Sequence, residues 1–116
     1  MKHPTSPLQA GQVFEIAFET FTPRITIRSE RELTVDVVAG RYNGFSDTVA
    51  YEALAVRDDV IMLSWQEHIG STIVHVLDFA SSQAFTAVTP NCGTGSAAAA
   101  AQVSNAMAHR ASLDAG

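Results

Sequence analysis

From Gln12 onward the chain alternates β-branched and aromatic residues with polar ones, and turn formers break the pattern every few positions. Val13–Thr20, Arg24–Arg28 and Leu33–Val38 read as three strands, divided by Pro23 and by the charged turn Ser29-Glu30-Arg31-Glu32. The two glycines of Ala39–Gly44 predict a loop or an irregular strand there. Four more strands follow at Thr48–Val56, Val60–Glu67, Thr72–Phe79 and Gln83–Thr89. Their connections, Arg57-Asp58-Asp59, His68-Ile69-Gly70-Ser71 and Ala80-Ser81-Ser82, are too short for a parallel crossover, which needs about a dozen residues. A seven-strand meander must dispose of its edges, and closing on itself is the usual way.

After Pro90 the texture changes. Asn91–Gly95 reads as a flexible link, and Ser96 as the N-cap of a helix from Ala97 to about Ala111, where five consecutive alanines favour helix. Val103 and Met107 would share one stripe of that helix. Whether it packs on the barrel, pairs with a second copy in a homodimer or frays, the pattern leaves open. The predicted organisation is a flexible lead-in over 1–11, a barrel over 12–90, and a Gly/Ala-rich linker with a helix or tail over 91–116. The fold class is all-β, a small antiparallel meander barrel of seven to eight strands.

The central strands can be read face by face. With Asp58-Asp59 and Ile69-Gly70 as two-residue turns, Trp65 lies between Glu52 and Val74, and Glu67 lies opposite Thr72. One face then carries Glu52, Leu54, Val56, Ile61, Leu63, Trp65, Glu67, Thr72, Val74, Val76 and Asp78; being the more apolar, it is the expected interior. The other carries Tyr51, Met62, Gln66, His68, Ile73, His75 and Leu77. Glu52 and Glu67 would interrupt an apolar interior beside Trp65, where a carboxylate must be paired, protonated or solvated. That is a functional-site signature. The plainer alternative sets both at the barrel mouth, solvated or paired with Arg41 or Arg24, with Trp65 simply filling the core.

Composition narrows the function. The chain has 116 residues, 47% hydrophobic and 16% charged, which is one globular domain. A net charge of −5 without a basic stripe argues against nucleic acid. No apolar run suits a signal peptide or a membrane span, and Cys92 has no partner cysteine, so a soluble cytoplasmic protein is expected. His3, His68, His75 and His109 lack metal-ligand spacing, so no metal and no cofactor is expected. Cys92 lacks a His/Asp partner, and Gly93–Ser96 lacks the setting of a phosphate loop.

Trp65-Gln66-Glu67-His68-Ile69-Gly70-Ser71 resembles the W-x-E-x-x-G-[ST] hairpin of the phenolic acid decarboxylases and of their relatives, the MoaF-like proteins named for molybdenum cofactor biosynthesis. Val38-Ala39-Gly40-Arg41-Tyr42 resembles the decarboxylase segment in which G-R precedes an aromatic, and Val60–Phe79 is the nearer match to the MoaF-like group. The resemblance implies a calycin-like (lipocalin-like) barrel enclosing a pocket. It also implies that Glu67 acts as acid/base and that Arg41 orients a ligand. The first strand departs from the decarboxylase pattern: Phe14-Glu15-Ile16-Ala17-Phe18 offers no tyrosine to hold a carboxylate. The tail after Gly93 also departs, where these barrels place another strand. The favoured function is therefore a MoaF-like barrel that binds a small planar or aromatic molecule. Trp65, Glu52, Tyr42, Thr72, Val74 and Phe18 are the candidate contacts. A cofactor-free lyase or isomerase using Glu67 and Arg41, and a non-catalytic interaction module, are the alternatives.

Overall fold

Eight strands form in chain order: β1 (Val13–Ala17), β2 (Phe21–Ile27), β3 (Glu32–Gly40), β4 (Ser46–Arg57), β5 (Val60–Gln66), β6 (Thr72–Asp78), β7 (Gln83–Thr89) and β8 (Met107–Asp114). They are seen in a computed structural model that describes residues 6–90 and 107–115. Each strand pairs antiparallel with its neighbour, and β8 returns to β1 with Ile16 opposite Leu113, so the sheet closes as a barrel. Closure leaves no unpaired edge.

That closure corrects the helix expected from Ala97 to about Ala111. Met107–Asp114 is a strand, with Ala111 and Leu113 buried and Arg110, Ser112 and Asp114 outside. Two open edges gain partners from this one segment, six residue pairs on β7 and three on β1, which outweighs the helix propensity of its alanines. The remainder of the expected helix lies outside the described residues.

Alternation fills the interior from every strand: Phe14 and Ile16, Ile25 and Ile27, Leu33, Val35 and Val37, Val49 and Tyr51, Ile61 and Leu63, Leu77, Ala84, and Leu113 are buried. One end of the barrel is shut. Leu8, 1% exposed, plugs it from the lead-in, which is tied down where the Gly11 N–H donates to the Ile27 carbonyl and the Ile27 N–H to that of Gln12. The Tyr51 hydroxyl donates to the Ser29 carbonyl at 2.8 Å, and Phe14 meets Phe79 edge to face.

Two loops set the register of the central strands and correct the predicted faces. Asp58-Asp59 does form a two-residue turn, with Arg57 opposite Val60, but the pairing then slips so that Ala55, not Val56, faces Ile61. This β-bulge puts Tyr51 opposite Trp65 and turns Glu52, Leu54 and Val56 outward. Between β5 and β6 the turn has three residues, His68-Ile69-Gly70, with Gly70 at φ 99° and the Glu67 N–H donating to the Ser71 carbonyl at 2.8 Å. A three-residue hairpin with glycine in the left-handed position shifts the partner strand by one residue from the two-residue turn predicted. Ile73, His75 and Leu77 therefore point inward, while Thr72 and Val74 belong to the outer face.

Candidate functional site

The β1–β2, β3–β4 and β5–β6 connections gather at the end opposite Leu8, and there the barrel is hollow. A cavity of about 310 Å³ runs from that mouth down to Trp65 and His75. Its walls are the inward positions of β2 and β3 (Pro23, Ile25, Val35, Val37), of β5 and β6 (Trp65, Ile73, His75) and of β7 (Thr86, Val88).

The rim is aromatic. Phe18 and Phe21 stack with centroids 4.9 Å apart, Phe21 meets Tyr42 edge to face at 5.8 Å, and Phe45 closes the row. Tyr42 holds φ 65°, a conformation rare for a residue with a side chain and concentrated at functional sites. The Arg41 guanidinium lies 5.0 Å over the Tyr42 ring, exposed and outside the cavity lining.

Glu67 is the acid of the cavity. Burial raises its pKa, and the nearby Asp47 carboxylate raises it further; the Trp65 indole N–H opposes both by favouring the anion. The two side chains nevertheless close no hydrogen bond of good geometry, so Trp65 Nε1 is buried without a partner. Asp47 pins the β5–β6 turn from β4. Its two carboxylate oxygens take the His68 backbone N–H at 3.0 Å and the His68 Nδ1 at 2.6 Å. Burial opposes ionisation of Asp47, but these contacts prevail and lower its pKa.

His75 forms the deep end. It is 2% exposed, its ring centroid lies 4.9 Å from that of Trp65, and its Nδ1 bonds Thr86 Oγ1 at 2.6 Å. Burial pushes its pKa down to about 3, so the imidazole is neutral. Its other nitrogen, Nε2, has no hydrogen-bond partner among the described residues.

Of the residues singled out by sequence, the cavity unites Trp65, Glu67, Tyr42 and Phe18. Arg41 stays at the rim. Glu52, Thr72 and Val74 lie on the outer wall, and Arg24 pairs with Glu15 at 2.9 Å rather than with either glutamate. His75 and Thr86 were missed, because the shifted register of β6 is invisible unless Gly70 is read as the end of a three-residue turn. Among the described residues no three His, Cys, Asp or Glu side chains converge as a metal site. No helix there is long and apolar enough to cross a membrane.

None of the curated proteins matches this chain. Among solved structures it is similar to a Burkholderia vietnamiensis protein described as a "putative beta-lactamase", with 26% identity and a TM-score of 0.76 over 97% of this chain and 100% of the other. The MoaF-like family model matches residues 10–100, a span that takes in β1 to β7. The chain belongs to the MoaF-like family.

Proposed function

We propose that this barrel binds a small, planar, largely apolar molecule in its mouth-to-His75 cavity. The observation that carries the reading is the hollow itself. A space of about 310 Å³ with apolar and aromatic walls and a few convergent polar groups is what ligand sites of the smaller kind look like. A barrel built only to be stable would fill that volume with side chains, as this one does at its Leu8 end.

The single tryptophan makes the test direct. N-phenyl-1-naphthylamine, an uncharged fluorescent probe, should quench Trp65 and brighten as it enters. Val37→Phe, which projects extra volume into the cavity, should weaken that binding at least about tenfold while keeping the fold, since overpacking costs about 1–3 kcal/mol. Equal binding to both proteins, or none to either, counts against the reading.

Glu67 supports a second reading, a lyase or isomerase with this residue as general acid/base. A carboxyl whose pKa is raised in an apolar cavity is shifted in the direction that general acid/base catalysis uses. The decarboxylase form of that chemistry is less well supported, because the segment 13–18 sends no tyrosine to the cavity and Phe18, which lines it, cannot donate a hydrogen bond to a carboxylate. A β-lactamase reading, taken from the Burkholderia protein, finds no lysine among the described cavity residues to activate a serine; the chain's single lysine, Lys2, lies outside the described residues. Glu67→Gln separates the readings. It should leave naphthylamine binding within about threefold, a change below 1 kcal/mol, and abolish any turnover. Turnover that survives the substitution sinks the acid/base reading.

A further inference from the structure

The cavity has a charge character that its walls impose. No cationic side chain among the described residues lines it. Its one ionisable acid, Glu67, stands at the mouth with Asp47 nearby, and the whole chain carries a net charge of −5. Arg41, whose guanidinium lies over the ring of Tyr42 at the rim, is exposed and does not line the cavity. At the deep end the neutral His75 is a polar group that is almost wholly buried, held through Nδ1 by Thr86 and with Nε2 unpartnered among the described residues. A neutral imidazole gives one donor and one acceptor, and Thr86 uses one of them. Whichever tautomer forms, the remaining nitrogen matches a hydroxyl, which can donate or accept.

An anion entering this space would leave water without gaining a counter-charge, a large desolvation cost. A hydroxyl loses little, because His75 replaces its water. A cation finds Glu67. Resting on the binding function proposed above, we propose that the cavity selects uncharged or cationic planar aromatics carrying a hydroxyl or an N–H group, seats the hydroxyl of the uncharged ones on His75, and discriminates against aromatic carboxylates.

Four naphthalenes of one shape test this: naphthalene, 2-naphthol, 2-naphthylmethylamine and 2-naphthoate. Binding is read at pH 7 from the single indole N–H resonance of Trp65 and from calorimetry. Naphthol and the amine should bind at least about tenfold tighter than naphthoate, the difference one good polar contact makes. His75→Leu should lower the ratio of 2-naphthol to naphthalene affinity about tenfold, and because a reshaped cavity or a weakened fold acts on both compounds, the ratio isolates loss of the polar contact. Should that variant not fold, the ranking of the four compounds on the unaltered protein still decides. Naphthoate binding as tightly as naphthol, or more tightly and dependent on Arg41, overturns the selectivity while leaving the binding function intact. If none of the four binds, naphthalene included, the binding function itself fails and the selectivity with it.

Discussion

Gly40→Ala should destabilise the barrel by roughly 2–4 kcal/mol, seen as a melting temperature lower by about 10 °C or more for a chain of this size. Gly40 ends β3 at φ 78°, and a methyl group there would stand 2.3 Å from the Thr20 carbonyl oxygen and 2.8 Å from the Phe21 Cα. Both neighbours are backbone, so no side chain can swing aside. The left-handed φ alone costs an alanine about 1–2 kcal/mol. Gly44 isolates that part. It sits at φ 99° with nothing within 4 Å of its would-be methyl, so Gly44→Ala carries the conformational cost without the clash. Equal losses at both positions would show that the close approach to Thr20 is not what glycine serves.

The close approach shapes the cavity mouth. It lets the Arg41 N–H donate to the Thr20 carbonyl at 2.9 Å, locking the β3–β4 turn against the β1–β2 turn. Phe18 and Phe21, on either side of Thr20, then stack into the rim. Gly40→Ala should therefore alter naphthylamine binding as well as stability, whereas Gly44→Ala should alter stability alone.

This glycine shows how a motif can be legible while its meaning is not. Gly40-Arg41-Tyr42 stood out in the sequence for the charge of Arg41, yet the structure uses its glycine for backbone contact and its tyrosine for the rim. The barrel was readable because period-two alternation and short turns survive in every strand from β2 to β7. β8 was not, since Met107–Asp114 follows an alanine run and carries only Ala111 and Leu113 as its buried marks among the residues whose side chains are described. Its strand identity comes from the edges of β1 and β7, which are far away in sequence.

The site was half legible for a related reason. Trp65 and Glu67 share a strand and its turn, so local pattern placed them together. Their neighbours depended on two register shifts, the bulge at Val56 and the three-residue turn ending at Gly70, each of one residue. A shift of one exchanges the faces of a whole strand. It replaced Glu52 by Tyr51 on one side of Trp65 and Val74 by Ile73 on the other, and brought His75 to the cavity floor.

His75 should make the protein acid-sensitive from about pH 6.5 downward. Its ordinary pKa of 6.5 falls to about 3 in the folded state through burial alone. Between those values the unfolded chain takes up a proton that the folded one refuses. Stability is therefore complete above pH 6.5 and is lost as pH falls toward 3, at about 1.4 kcal/mol per pH unit. From pH 6 to pH 4 that amounts to roughly 2–3 kcal/mol. Glu67 works the other way. Its raised pKa makes the folded state the better proton acceptor, so stability rises as pH falls through that value toward 4.5. Glu67→Gln should consequently steepen the acid decline. Asp47 and Asp78, both lowered, add their own losses only as pH drops below 3.8. Replacing His75 and Thr86 together by Leu and Val removes the titrating ring without leaving the hydroxyl unpaired. Urea unfolding at pH 7, 6, 5 and 4 should then give a markedly shallower decline for the double variant, whatever its absolute stability. Parallel curves for the two proteins would mean that the imidazole takes up its proton in place, and that the cavity floor is wetter than its burial indicates.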